Sequence, residues 1–258
     1  MNKWIIAAAS EAGTLHLSKK KPKQDCCLAR SHVGLDGHDY LVVFTSDGAG
    51  STLLGGEGAS EACRFAHMLV KQWLYKEHKP ALNESLIREW VELVKRNLVS
   101  RARNSSRNPD DYACTFLGAV IGPTVAAFMQ IGDGGIVAGC NGNFELIYWP
   151  DNGEYENETY FLTDEDSRTH TRVFVMNETV DEAALFSDGL QWLVLNYISH
   201  QVHIPFFQSM FAVLRGIPNG TNNNWNEELA NFLNSSDVNE RTDDDKTLVL
   251  ATRRSIRE

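Results

Sequence analysis

Apolar residues in this chain gather into short runs separated by turn-forming residues. The runs are rich in the β-branched and aromatic side chains that a pleated surface accommodates. On that pattern WIIAAAS (4–10), DYLVVFTS (39–46), TFLGAVI (115–121), VAAFMQI (125–131), GNFELIYW (142–149), EAALFS (182–187) and TLVLAT (247–252) are expected to be strands. Two longer stretches, 56–78 and 83–104, place their apolar residues at helical spacing. Phe65, Met68, Leu69 and Trp73 share one face of the first; Leu86, Trp90, Leu93, Val94 and Leu98 share one face of the second. Asn83 is placed to cap the second helix, without the Glu or Gln three residues on that would complete a capping box. A further helical region is expected from Leu190 to Gly216, broken near Pro205, and a last helix from Asn224 to Leu233.

The two long helices follow one another between runs of strands, so the order is not the βαβα alternation of a doubly wound parallel sheet. It predicts an α+β layered sandwich whose helices each cover a sheet on one side, within a single domain spanning 1–258. The polar, acidic segment from Asp151 to Arg172 reads as an excursion over the surface.

Composition narrows the class. With 258 residues, 43% hydrophobic and 22% charged, the chain matches an ordinary soluble globular protein. A formal charge of -10 argues against nucleic acid, which demands a basic face. No apolar run approaches the ~20 residues needed to cross a bilayer, and the apolar stretch in MNKWIIAAASEAG is shorter than a signal peptide requires. The five cysteines, Cys26, Cys27, Cys63, Cys114 and Cys140, are odd in number and contain no C-x-x-C, so they read as free thiols of a cytoplasmic protein.

The chemistry lies in aspartates at the ends of predicted strands: Asp47 in VVFTSDGAGS, Asp133 in FMQIGDGG, Asp188 in ALFSDGL and Asp244 in TDDDKTLVLA. A lone Asp-Gly is usually a turn. Its recurrence after similar apolar runs suggests one site built from several strand ends, where hard divalent cations would make gathered carboxylates tolerable. SDGAGSTLLGGEG lacks the Gly-Lys-Ser/Thr of a phosphate-binding P-loop, and GDGGIVAG lacks full dinucleotide-loop spacing.

In order along the chain, KPKQDCC, SDGAGS, QIGDGG, FSDGLQW and DDDKTLVLA resemble the motifs of the protein phosphatase 2C family. LHLSKKKPKQD, SDGAGSTLLGGEG, DYACTFLG and VNERTDDDKTL make the likeness closest to its bacterial PphC-type branch. The resemblance implies a four-layer α-β-β-α sandwich with two central antiparallel sheets flanked by helices. It implies two Mg²⁺ or Mn²⁺ ions, or three, with Asp47 bridging two of them and the Gly48 carbonyl, Asp188 and Asp244 completing the set. Asp244 is chosen over Asp243 and Asp245 because it stands three residues before Thr247, the family spacing. Asp25 corresponds to an acid acting through water, and Asp133 to a partner of metal water or of a third ion. The implied activity is hydrolysis of phosphoserine and phosphothreonine in proteins by a metal-bridging hydroxide, without a covalent intermediate.

Departures from the pattern flank the early Asp. Gln24 replaces a frequent glutamate, Lys20 stands where animal members have an arginine that grips phosphate, and Ala49 replaces their proposed general-acid histidine. Lys20, in the basic run Lys19, Lys20, Lys21 and Lys23, becomes the candidate phosphate contact, and His16 the candidate proton donor. Gln24 and Ala49 also motivate an alternative, a pseudophosphatase that binds phosphoprotein without turning it over. His170 and the acidic stretch before it fall where the family carries a flap, and Cys26 and Cys27 flanking Asp25 are read as partly buried inert thiols, oxidation sensitivity being the lesser alternative.

Overall fold

The structure, a computed structural model, describes residues 3–151, 159–217 and 224–254. The chain opens with β1 (Lys3–Glu11), α1 (Thr14–Ser18), β2 (Cys26–Val33) and β3 (Asp39–Ser46), followed by the long helices α2 (Gly55–Leu74) and α3 (Glu84–Asn104). Next come β4 (Phe116–Ile121), β5 (Ala126–Ile131), β6 (Gly135–Cys140), β7 (Asn143–Leu146), α4 (Ser167–His170), β8 (Arg172–Met176) and β9 (Glu182–Phe186). The remainder is α5 (Gln191–Val194), β10 (Leu195–Asn196), β11 (Gln201–Val202), α6 (Ile204–Gly216), α7 (Trp225–Leu233), α8 (Ser236–Asn239) and β12 (Lys246–Arg254).

One five-stranded sheet runs β1-β12-β9-β6-β7, the other β2-β3-β4-β5-β8, and their strand pairs are antiparallel. The pleat divides each central strand between two cores. On β3, Tyr40, Val42 and Phe44 face α2 and α3, while Leu41 and Val43 face the opposite sheet. On β12, Leu248 and Leu250 pack under α6 and α7 as Val249 and Ala251 turn inward between the sheets. With both faces covered, these strands read as continuous apolar runs rather than alternating ones. The layers are helix, sheet, sheet, helix, as the resemblance implied.

Three strands of the two large sheets were not expected from the pattern. β2 and β8 are sheet edges, half-buried along most of their length; β2 carries Arg30, Ser31 and His32, while β8 is a short apolar run behind Arg172. β6 is buried but glycine-rich, because the Phe186 ring lies where a Cβ on Gly135 would stand.

Two helix expectations are corrected. The face of α2 turned to the sheet carries Ala59, Ala62, Cys63, Ala66, Val70 and Leu74, small residues that let the helix approach closely. Phe65, Leu69 and Trp73 sit at its rim, Trp73 meeting Trp90 of α3 edge-on at 5.2 Å, and Met68 is exposed. The region Leu190–Gly216 is not one broken helix: α5 ends in the β10–β11 hairpin, and Pro205 lies in the first turn of α6, where its missing N–H has no intrahelical partner to lose. Asn83 caps α3 as expected, accepting from Leu86 N at 3.0 Å.

Candidate active site

Sheet register gathers the aspartates at one rim. The pair Cys26↔Ser46, extended by one residue, sets Asp25 opposite Asp47 across β2 and β3. The pair Gly135↔Phe186, extended by two, sets Asp133 opposite Asp188 across β6 and β9. Asp244 precedes β12, and its Cβ lies 3.5 Å from where a Cβ on Gly189 would stand, so it adjoins Asp188. All five carboxylates predicted from sequence come together.

Their charges act on one another. Burial raises Asp47 well above the usual carboxylate range, and the charges of Asp25 and Asp188 add to it. Asp188 is likewise raised well above that range, first by burial, then by Asp133 and Asp244. Burial brings Asp133 up to about 6. Asp25 is raised by burial, against hydrogen bonds that favour its charged form.

Those hydrogen bonds define the support around the cluster. Asp25 Oδ2 accepts from Ser187 Oγ and Thr247 Oγ1, both at 2.6 Å. Ser10 Oγ is 2.8 Å from Thr247 Oγ1 and takes a 2.8 Å hydrogen bond from Lys23 Nζ, so a lysine cation backs the carboxylate through two hydroxyls. Lys23 also donates to the Ser10 carbonyl and is a pin between strands rather than a phosphate grip.

Asp245 is buried where Asp244 is exposed. Its Oδ1 accepts from Gly13 N at 2.7 Å and its Oδ2 from Gln24 N at 2.6 Å, fastening the start of β12 to the segment that carries Asp25. His16 Nδ1 stands 2.9 Å from the same Oδ1, at ion-pair distance but off the line of a hydrogen bond. His16 therefore meets Asp245 rather than the carboxylate cluster. Lys20 is exposed in left-handed backbone (φ 53) just after α1; its backbone N donates to Leu17 O, and its side chain has no hydrogen bond or ion pair among the described residues. The Gln24 side-chain amide donates to the carbonyls of Ala49 and Thr52, at 3.1 and 3.3 Å, and holds the turn after Asp47.

Backbone approach explains two glycines. A Cβ on Gly48 would stand 2.2 Å from the Gly55 carbonyl carbon, and one on Gly189 would stand 2.1 Å from the Asp245 carbonyl oxygen. Gly48 N bonds to Gln24 O, and among the described residues no hydrogen bond ends on the Gly48 carbonyl. His170, expected beside a flap, stacks on Tyr160 at 3.4 Å and lies 3.3 Å from Asp166. Residues 152–158 of the preceding acidic stretch lie outside the described residues, while Leu162 is fully buried in the helix-side core, which anchors the excursion beyond them.

Ser10, Lys23 and Asp245 went unremarked as site supports in the sequence. Only Asp245 had a signal: in antiparallel β12, which begins one residue later, alternate side chains face opposite ways, so neighbouring aspartates in TDDDK must differ.

The donor chemistry suits a hard cation. Carboxylate and carbonyl oxygens dominate, and Asp25 Oδ1 is buried and accepts no hydrogen bond. Among the described residues, no three His, Cys, Asp or Glu side chains converge in ion-holding geometry. The carboxylates thus share a basin rather than a finished cage. Their mutual repulsion is the more telling quantity, because like charges hold one another apart and a cation reverses the sign of that interaction.

Comparison with known proteins agrees with this arrangement. The chain is 38% identical over 248 residues to serine/threonine-protein phosphatase 3 of Escherichia coli (strain K12), covering 96% of this chain and 98% of the relative. Among solved structures, the catalytic domain of the serine threonine protein phosphatase PstP in complex with 2 manganese ions superposes with a TM-score of 0.64 at 13% identity, covering 99% of this chain and 100% of that one. The phosphatase Stp1 from Staphylococcus aureus does so with a TM-score of 0.63 at 14% identity, covering 99% and 96%. These two likenesses are of fold. The model of the family described as Protein phosphatase 2C matches residues 12–234. With its sandwich, its rim of strand-end aspartates and this match, the chain belongs to the protein phosphatase 2C family.

Proposed function

We propose that this chain is a metal-dependent serine/threonine protein phosphatase, a phosphoric monoester hydrolase acting on phosphorylated proteins, with residues 1–258 as one catalytic domain. The observation that carries the reading is the convergence of Asp25, Asp47, Asp133, Asp188 and Asp244 on one rim through sheet register. Asp47, the Gly48 carbonyl, Asp188 and Asp244 would hold two Mg²⁺ or Mn²⁺ ions, with Asp133 and Asp25 acting through water or on a third. Bound there, the ions would supply an activated water nucleophile and neutralise charge on the transferring phosphoryl group.

The chain's own residues prepare that chemistry. Ser187 and Thr247 donate to Asp25, favouring its charged form against the effect of burial, and fix its rotamer. Gln24 fixes the turn that carries Gly48. Lys20, whose side chain has no partner among the described residues, is the candidate phosphate contact. His16 serves through Asp245 as a positioning residue, since that carboxylate is what it meets. No observation favours the pseudophosphatase alternative, because Gln24, one of its two motives, has a structural task.

The test is hydrolysis of para-nitrophenyl phosphate and of a phosphothreonine peptide by wild type, Asp47→Asn and Asp188→Asn. Turnover should require Mn²⁺ or Mg²⁺, stop with chelator, and fall at least about a hundredfold in either variant. Near wild-type turnover by Asp188→Asn refutes the assignment.

A further inference from the structure

We propose that an aromatic ledge beside the aspartate basin, made by Trp192 and Tyr197 with Ile198 at its tip, takes an apolar side chain of the substrate polypeptide close to its phosphorylated residue. The proposal rests on the phosphatase reading above.

The ledge is tied directly to the basin. Gln191 Nε2 donates to the Asp133 carbonyl at 2.5 Å, and Gln191 Oε1 accepts from the Tyr197 hydroxyl. Two hydrogen bonds and the width of one amide put the Tyr197 oxygen roughly 7 Å from that carbonyl. An extended peptide covers such a distance in about two residues. The Tyr197 hydroxyl is raised by burial and then by the charges of Asp133 and Asp188, which places it within their field.

The ledge is also rigid and uncovered. Trp192 and Tyr197 stack with ring centroids 4.6 Å apart, and Trp149 meets Tyr197 edge-on at 5.2 Å. Asn196 Oδ1 accepts from Ile198 N and Ser199 N at 3.0 and 3.1 Å, closing the tip of the β10–β11 hairpin as an Asx turn. Yet Trp192 is 71% and Ile198 97% exposed. Large apolar side chains held rigidly in solvent beside a polar cleft mark an interaction surface, and tryptophan and tyrosine are the usual anchors of one. The occupant is the substrate chain because the surface continues from the basin through Gln191, so a polypeptide whose phosphoryl group sits over Asp133 and Asp188 has the ledge within about two residues' reach.

The experiment compares phosphothreonine peptides that differ only in carrying leucine or serine two positions before, or two positions after, the phosphothreonine, assayed with Mn²⁺ alongside para-nitrophenyl phosphate. Wild type should favour a leucine peptide by about tenfold in kcat/KM, mainly through KM, as expected for partial burial of one indole and one leucine. Trp192→Ala should erase that preference, and Trp192→Phe should keep most of it. Equal handling of all peptides by wild type overturns the proposal, as does a preference that survives Trp192→Ala. A Trp192-dependent dimer in sedimentation velocity also overturns it, since a second copy would then cover the ledge. Wild type inert towards peptides and para-nitrophenyl phosphate alike removes the phosphatase reading and this proposal with it.

Discussion

Asp245→Asn preserves shape while removing the charge from a buried carboxylate whose two oxygens are both in use. Oδ1 accepts from Gly13 N at 2.7 Å and Oδ2 from Gln24 N at 2.6 Å. An amide offers one acceptor oxygen and one NH₂ group, so in either orientation its NH₂ confronts a backbone N–H. One charge-assisted hydrogen bond, worth about 1.5–3 kcal/mol, is lost, and a buried donor left unpaired costs about 1–3 kcal/mol more. Weakening of the surviving bond brings the total to about 3–5 kcal/mol. At about 2–4 °C per kcal/mol for a chain of this size, Tm should fall by about 6–20 °C. The same fastening positions Gln24 beside Asp25, so turnover should drop about tenfold or more in the folded variant. Thermal melts by circular dichroism, with Asp243→Asn as control, check the first number, and para-nitrophenyl phosphate kinetics below the new Tm check the second. Asp243 has an exposed side chain and should change stability by less than about 0.5 kcal/mol. An Asp245→Asn protein melting within about 2 °C of wild type would show that the fastening is not what orders the N-terminal segment.

Thr247→Val removes a donor from Asp25, whose Oδ1 already has none, and should lower the urea unfolding free energy by about 1.5–3 kcal/mol; Thr247→Ser should recover most of it, and a valine variant as stable as wild type defeats the network. Gly189→Ala drives a Cβ to 2.1 Å from the Asp245 carbonyl oxygen, so it should cost at least about 1–3 kcal/mol in thermal unfolding and abolish metal-dependent turnover. Asp133 is raised from 3.8 to about 6, so without metal the folded protein holds a proton that the unfolded chain releases, and stability falls as pH rises through that window. Mn²⁺ displaces that proton, so its stabilisation in thermal-shift assays should be larger at about pH 7.5 than at about pH 5.5, and a pH-independent shift contradicts the carboxylate basin. The reverse sign holds for His67, which burial lowers from 6.5 to about 4 beside His32 Nε2, 2.8 Å away: stability present above pH 6.5 is lost as pH falls through the window, and His67→Gln should flatten that loss in urea titrations.

Strands buried on both faces and the long amphipathic helices were legible as apolar runs and helical spacing, because there burial alone decides the residue type. β2 was not, since its half-wet edge carries Arg30, Ser31 and His32, and β8 was not, since its short run RVFVM starts at the very end of the polar segment read as a surface excursion. The β10–β11 hairpin was hidden for a different reason: its two-residue strands are set by the Asn196 side chain and by left-handed backbone at His200, neither of which alters hydrophobic periodicity. The acidic rim was legible because Asp-Gly at a strand end combines a chemical group with a turn, both written locally. Its supports were not: Ser10 and Asp245 acquire their roles from pairing across more than two hundred residues, as Ser10↔Thr247 does, and Lys23 acquires its role only through Ser10.

Gln24 shows how a departure from family pattern can mislead when read one position at a time. As a replacement for glutamate it counts as a lost acid, and with Ala49 it suggests a disabled enzyme. In the fold the two positions touch: the Gln24 amide donates to the carbonyls of Ala49 and Thr52. An ionised glutamate has no proton to donate there and would oppose both carbonyl dipoles in a buried setting. Glutamine thus fits the path of this turn, and the turn carries Gly48, whose carbonyl is a proposed metal ligand. Gln24→Glu should therefore weaken rather than restore a metal-dependent activity, by loosening the Gly48–Thr52 turn, whereas a pseudophosphatase would gain activity from the same substitution. Kinetics of that single variant with Mn²⁺ separate the two readings: a gain in kcat/KM would mean that the missing acid, not the turn, is what matters at position 24.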